Sequence, residues 1–197
     1  MQDSAAILGI DPALGTTGYG VLRTVGRQIQ LVDAGVIRVT RTGPLELRLK
    51  ELFEGVVEIL AQHRPQFFAM EQLYSHYERP RTAILMGHAR GVICLAAAQA
   101  AVPVTSYAPT QVKRLLTGNG RAPKAQMQLA VQQQLRLPRP IDPPDVADAL
   151  AIALCHIHAL QLPPEVLSSK KPAGAGSKND SVLKQIEALR LKTRKSE

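Results

Sequence analysis

Two acidic residues directly follow apolar segments that are typical of buried strands. Asp11 ends the run 5–10, and Glu71 ends the run 67–70. An acid in this position lies at the C-terminal edge of the sheet, where open α/β folds place their ligand-binding and active sites. A turn-opening Asp before Pro12, or a first exposed Glu, is the simpler interpretation of each residue taken alone.

Asp145 and Asp148 open an otherwise apolar helix and, three residues apart, share one face of it. The helix macrodipole favours acids in a first turn by up to roughly 1 kcal/mol, and this preference alone could account for both. The residues 146–154 are apolar on nearly every side of the helix, however, apart from Asp148 itself. Because a buried helix should not carry an unpaired carboxylate, a ligand role is favoured.

Four carboxylates at one sheet edge predict a site for hard divalent cations, which prefer carboxylate oxygens. Two such ions about 4 Å apart can activate water and stabilise the leaving oxygen when a phosphodiester is hydrolysed. The chain around them is basic, with 24 Lys and Arg against 16 acids and a formal net charge of +8. This balance indicates an anionic partner, although ribosomal, membrane-surface and other polyanion-binding proteins share it.

The pattern of apolar residues predicts the elements that position these acids. Strands are expected at 5–11, 18–22, 29–39, 66–71 and 102–107. Helices are expected at 44–63, from the connection 74–81 to about 100, and at 109–117, 123–136 and 143–161. This order is typical of an α/β fold with a five-stranded mixed sheet flanked by helices, as in ribonuclease-H-like domains.

The length of 197 residues suits one domain followed by a tail. We expect a nuclease domain over 1–162 and a basic flexible tail over 163–197, in which 181–192 has apolar residues at helical spacing. No segment has the pattern of a signal peptide or of a membrane span, which predicts a cytoplasmic protein with no membrane partner. Cys94 and Cys155 lie in apolar helical stretches and are predicted to be buried free thiols.

Other polar residues give weaker signals. Lys113 and Lys124 flank the turn 118–120, where an ammonium near a scissile phosphate would be useful, but solvated surface lysines are the simpler interpretation of both. His156 and His158 face different sides of their helix and are interpreted as core-edge or surface residues. The glycine-rich stretch 15–18 lacks the ending of a phosphate-binding P-loop.

Several short motifs resemble those of the crossover junction endodeoxyribonucleases of the RuvC type, the bacterial Holliday junction resolvases. Their order and spacing cover about residues 5–162. The motifs are LGIDP at 8–12, TGYGV at 17–21, AMEQ at 69–72, GHARGV at 87–92, QVK at 111–113, GNG at 118–120 and DVADALAIA at 145–153.

The resemblance implies a ribonuclease-H-like fold and a homodimer with two active sites that makes paired incisions across a four-way DNA junction. It implies that the catalytic Mg²⁺, two ions per active site with Mn²⁺ as a substitute, is bound by four acids: Asp11, Glu71, Asp145 and Asp148. It also implies a partnership with the RuvA/RuvB branch-migration complex. An enzyme of this type acts in homologous recombination and DNA repair.

The same matching places Tyr74 where the family has an aromatic residue that contacts bases at the junction centre. A base stacked on an aromatic ring contributes ~1–3 kcal/mol, whereas an exposed Tyr of no consequence is the alternative. Lys113 and Lys124 would approach the DNA backbone.

Three residues depart from the family pattern: Ala13 replaces Gly, Leu85 occupies a position often held by Lys, and His88 replaces Gln. Arg79 and Arg81 would restore the missing charge near Leu85.

Three other classes compete with a junction nuclease. Actin-like and sugar-kinase ATPases share the first turn but need two such domains, which 197 residues cannot supply. A YqgF-like nuclease of RNA processing shares the Asp11 motif but lacks the context of Asp145 and Asp148. A non-catalytic junction-binding protein has no need for four acids that repel phosphate.

Overall fold

The computed structural model describes residues 4–26, 28–40, 42–73 and 80–161. They form five strands, β1 (Ala5–Asp11), β2 (Thr16–Val25), β3 (Gln28–Arg38), β4 (Phe67–Glu71) and β5 (Val104–Tyr107). They also form five helices, α1 (Leu45–His63), α2 (Pro80–Gln99), α3 (Pro109–Thr117), α4 (Lys124–Gln134) and α5 (Pro144–Gln161). The predicted fold class is confirmed, and the predicted tail lies outside the described residues.

The sheet is mixed, with strand order β3-β2-β1-β4-β5. β1, β2 and β3 pair antiparallel, whereas β4 pairs parallel to both β1 and β5. The carboxyl ends of β1, β4 and β5 therefore meet at one edge. Ile10 is in register with Met70, so the next residues, Asp11 and Glu71, end neighbouring strands about 5 Å apart.

Alternate residues of the strands enter two different cores, one on each face of the sheet. Leu8, Ile10, Phe68 and Met70 pack with α1 and α2. The residues between them face α3, α4 and α5, in a core that includes Ile7 and Ala69. By the same alternation, the side chains of Asp11 and Glu71 belong on the α5 face.

Helix α5 lies directly on β1 and β2 because glycines leave room for its backbone. A Cβ atom at Gly9 would come within 2.3 Å of the Ala149 carbonyl oxygen, and one at Gly18 within 2.0 Å of the Asp145 carbonyl oxygen. Gly18 pairs with Asp11 across the two strands. This close approach buries most of α5 and brings its first turn beside Asp11.

Cys94 and Cys155 are both free thiols, but only Cys155 is fully buried, since Cys94 lies at the margin of the core between α1 and α2. Among the described residues, no helix combines the length and the hydropathy needed to cross a membrane.

Candidate active site

The four predicted carboxylates come from three segments that converge at the carboxyl edge of the sheet. Asp11 ends β1 and Glu71 ends the adjacent strand β4. Asp145 lies in the first turn of α5 and Asp148 follows one turn later. All four residues are half-buried, so each keeps some access to solvent.

The electrostatics of the site show that these carboxylates affect one another. The pKa of Asp11 is raised to about 7, mainly by burial and then by the nearby charges of Glu71, Asp148 and Asp145, in that order, while Lys124 lowers it. The pKa of Glu71 is also raised, mainly by burial and then by Asp148. The site therefore holds more negative charge than its own surroundings neutralise.

Both predicted lysines lie beside the carboxylates. The Lys124 Nζ is 2.8 Å from the Asp148 Oδ2, and this hydrogen bond is the main cause of the raised pKa of Lys124. The charge of Lys113 lowers the pKa of Glu71 against the effect of burial. No feature of the sequence predicted an ion pair between Lys124 and a predicted metal ligand.

The carboxylates as placed do not form a closed set of metal ligands. In the described ranges, no group of three or more His, Cys, Asp or Glu side chains has the geometry to hold one. Their chemistry nevertheless fits a divalent cation, since they present only oxygen ligands and their mutual repulsion raises the pKa of Asp11. A cation between them would relieve that repulsion.

A cleft of about 210 Å³ opens beside the two strand ends. Its lining is mostly apolar, and the lining residues are Asp11, Pro12, Glu71, Gln72, Leu73, Met86, Arg90 and Pro109. Arg90 reaches this place from α2 and donates hydrogen bonds to the main-chain oxygen of Glu71 and, at 2.5 Å, to the Ser106 Oγ. Sequence reasoning assigned Arg90 no role, although the residue lies within the motif at 87–92.

The other residues predicted to bind DNA are less well defined. Tyr74 and Arg79 lie outside the described residues, so their predicted contacts stay predictions. Arg81 is exposed at the start of α2.

The departures at Ala13, Leu85 and His88 each have a structural setting. The Thr17 Oγ1 accepts a hydrogen bond from the Ala13 N–H at 3.2 Å and donates one to its carbonyl oxygen at 2.5 Å, which fixes the turn after Asp11. Leu85 packs on the core of α1 and α2, and His88 is exposed.

The prediction for His156 was wrong. It is fully buried, and its Nδ1 is hydrogen-bonded to the Tyr107 hydroxyl at 2.7 Å. Burial lowers the pKa of His156 to about 4, so the ring is neutral near pH 7. The error arose because helical spacing does not show that α5 is covered on so many sides by β1, β2, α3 and α4.

Comparisons with known proteins agree with this architecture. The family model described as crossover junction endodeoxyribonuclease RuvC matches residues 7–156. A curated protein of that name from Rhodopirellula baltica is 59% identical over 152 residues, which cover 77% of this chain and 85% of the relative. One from Desulforamulus reducens is 44% identical over 150 residues, covering 76% and 91%.

Solved structures extend the likeness to three dimensions. The Thermus thermophilus RuvC structure is 34% identical, with a TM-score of 0.74 and coverage of 79% of this chain and 95% of that one. A second structure, T. thermophilus RuvC in complex with a Holliday junction substrate, matches with the same identity and TM-score over 79% and 94%. The family match spans both strand ends and α5, where all four carboxylates lie, and the chain belongs to the RuvC family of crossover junction endodeoxyribonucleases.

Proposed function

We propose that this protein resolves four-way DNA junctions by metal-dependent hydrolysis of phosphodiester bonds at Asp11, Glu71, Asp145 and Asp148. The observation that carries the proposal is the crowding of three carboxylates around Asp11, which helps to raise its pKa to about 7. Strongly shifted pKa values of grouped acids are typical of functional sites. In a protein that only bound DNA, these acids would repel phosphate and lower the affinity for DNA.

The donor set favours Mg²⁺, two ions per site, with Mn²⁺ as a substitute. When bound, such ions supply a nucleophilic hydroxide at neutral pH and stabilise charge on the leaving oxygen. The four side chains would hold the ions, and Asp148 would exchange the Lys124 ammonium for a metal ion. Freed from that ion pair, Lys124 would lie at the rim of the site with Lys113, where both can contact the phosphates of the DNA backbone.

The family match favours junction DNA over RNA as the substrate, because it extends through the α5 motif that the RNA-processing nucleases lack. In this proposal Tyr74 stacks on a base at the junction centre. Arg79 and Arg81 add positive charge along the path of the DNA. Sequence-independent contacts of this kind supply most of the affinity and weaken as salt is added.

Glu71→Gln tests the metal site, since it removes one ligand charge and leaves the basic residues in place. With a synthetic four-way junction and Mg²⁺, we expect the cleavage rate to fall by more than about 100-fold, above the loss usual for a group outside the coordination sphere. Junction affinity measured without divalent metal should stay within a few-fold of wild type. The matched control is Glu54→Gln, which neutralises an exposed acid on α1. Cleavage by Glu71→Gln at the rate of this control would refute the site.

A homodimer would place two such sites on one junction, and α2 offers the surface for it. Ile84 and Leu95 are 61% and 52% exposed, and His88 and Gly91 lie exposed between them on the same side of the helix. An exposed apolar strip of this kind favours contact with a second copy across a two-fold axis. Small residues also recur along α2 at steps of three and four and would let another helix approach closely: Ala83, Gly87, Gly91, Cys94 and Ala98. Of these, Cys94 packs partly against its own core.

Leu95→Lys tests this dimer against a closely matched control. Leu95 on α2 and Leu129 on α4 are exposed to almost the same extent, 52% and 51%. We expect Leu95→Lys to yield monomers in light scattering, whereas Leu129→Lys keeps the mass of the wild-type protein. The α2 interface would be withdrawn if both variants remained dimeric at micromolar concentration.

Association with the RuvA/RuvB complex and a cytoplasmic location remain predictions from the family resemblance and the sequence. Co-purification of the full chain with RuvA and RuvB assembled on a four-way junction would test the first. The assignment of 1–162 as the nuclease domain and of 163–197 as a separate basic tail is likewise a proposal. Cleavage by a chain that ends at Leu162 would support it.

A further inference from the structure

Arg90 connects helix α2 to the strand end that carries Glu71. It lies on the opposite face of the sheet from α5, and its Nη1 donates to the Glu71 main-chain oxygen. Its Nη2 donates to the Ser106 Oγ on the neighbouring strand β5. One guanidinium therefore bridges β4 and β5 at the carboxyl edge of the sheet.

The sheet pairing of Glu71 differs between its two sides. The last ladder pair of β1 and β4 is Ile10 with Met70, one residue before Glu71. On the other side, Glu71 is in register with Tyr107, and the Gln72 N–H donates to the Tyr107 main-chain oxygen at 2.7 Å. The pairing with β5 thus fixes one side of Glu71, and Arg90 binds the Glu71 carbonyl group from the face of the sheet opposite α5.

We propose that Arg90 is a positioning residue that fixes the Glu71 carboxylate for metal binding. The carbonyl group that it holds belongs to Glu71 itself, so the direction of the Cα–Cβ bond is set by the same peptide. The second hydrogen bond, to the Ser106 Oγ, ties the same guanidinium to β5. The planar fork of arginine suits two acceptors at once, which an ammonium cannot match.

This inference rests on the proposed function of Glu71 as a metal ligand. It predicts that losing Arg90 weakens metal binding more than it weakens folding or DNA binding. Groups that orient metal ligands from outside the coordination sphere typically contribute about 10–100-fold to metal affinity or activity.

The test uses the full chain and measures Mn²⁺ binding without DNA, by the electron paramagnetic resonance signal of free Mn²⁺. We expect Arg90→Met to weaken Mn²⁺ binding by about 10-fold or more and to raise the Mg²⁺ concentration for half-maximal cleavage in proportion. Saturating Mg²⁺ should restore most of the rate, and junction affinity without metal should change less than about 3-fold. The control is Arg64→Met, which changes an exposed arginine beyond the end of α1.

Conservative variants separate positioning from bulk stability. Arg90→Lys keeps the charge but reaches one acceptor, so its Mn²⁺ affinity should fall between wild type and Arg90→Met. Ser106→Ala removes the second acceptor and should shift metal binding in the same direction by a smaller factor. If Arg90→Met does not fold, Arg90→Lys and Ser106→Ala test the proposal in its place. An Mn²⁺ affinity equal to that of the wild type in both variants would overturn it.

Glu71→Gln in the same Mn²⁺ titration distinguishes a failure of the proposed role of Arg90 from a failure of the proposed metal site. Weak binding by Glu71→Gln together with normal binding by a folded Arg90→Met would refute the role of Arg90 alone. Normal binding by Glu71→Gln would refute the metal site itself. Weak binding by both, with Arg64→Met unchanged, is the result we expect.

Discussion

Asp11→Asn should stabilise the metal-free protein, although it removes a predicted metal ligand. Burial and three neighbouring carboxylates raise the pKa of Asp11 from 3.8 to about 7. A difference of about 3 pKa units corresponds to roughly 4 kcal/mol between the charged and neutral forms of the side chain. Since Asn has nearly the same shape as the protonated acid and never ionises, this cost disappears in the variant.

The effect should depend on pH in a defined direction. The folded-state pKa of Asp11 lies above the unfolded value, so folding favours the protonated acid. Its contribution is fully present below about pH 4 and is lost as the pH rises through about 7. The advantage of Asp11→Asn should therefore be about 1.5 kcal/mol at pH 5 and approach roughly 4 kcal/mol at pH 8.

Thermal unfolding in EDTA at pH 5 and pH 8 measures this difference directly. For a chain of this size, 4 kcal/mol corresponds to a rise in Tm of roughly 10 °C, which is easily resolved. Glu54→Gln is the control, because its ion pair with Lys50 is exposed and contributes only ~0.3–0.5 kcal/mol. Adding Mg²⁺ should stabilise the wild type more than Asp11→Asn, since binding to the folded state adds to its stability.

Two results would refute this reasoning. If Asp11→Asn is no more stable than wild type at pH 8, the carboxylates do not crowd Asp11 in the folded protein. If it is more stable by the same amount at pH 5 and pH 8, the gain has a cause other than ionisation.

Three further predictions concern the packing of α5, the buried pair of Tyr107 and His156, and the C-terminal tail. Gly18→Ala should cost about 3 kcal/mol in urea unfolding, because its Cβ would press on the Asp145 carbonyl group and move the first turn of α5. Tyr107→Phe should cost about 1–3 kcal/mol in the same assay, since it removes the hydrogen-bond partner of the buried His156 Nδ1. A chain ending at Leu162 should melt cooperatively and cut junctions, yet bind DNA less tightly at low salt, because the removed segment has eight Lys and Arg against four acids.

The sequence alone was sufficient to predict the order of the elements and the gathering of four carboxylates at one edge of the sheet. Alternation and apolar runs identify strands locally, so an acid that directly follows a buried run marks the strand's end wherever that strand lies. Asp11 and Glu71 were found in this way. Helix α5 was recognisable because residues around Asp148 are apolar on nearly every side, which indicates burial before any packing is known.

Only the tertiary structure decided how these residues affect one another. The contact of Lys124 with Asp148, the hydrogen bonds of Arg90 to β4 and β5, and the pairing of His156 with Tyr107 join residues far apart in the chain. No periodicity encodes such contacts, because each depends on how closely two elements approach. The raised pKa of Asp11 has the same origin, because it requires burial and three negative charges on β4 and α5. Those charges lie near Asp11 only because the glycines of β1 and β2 allow α5 to pack closely on the sheet.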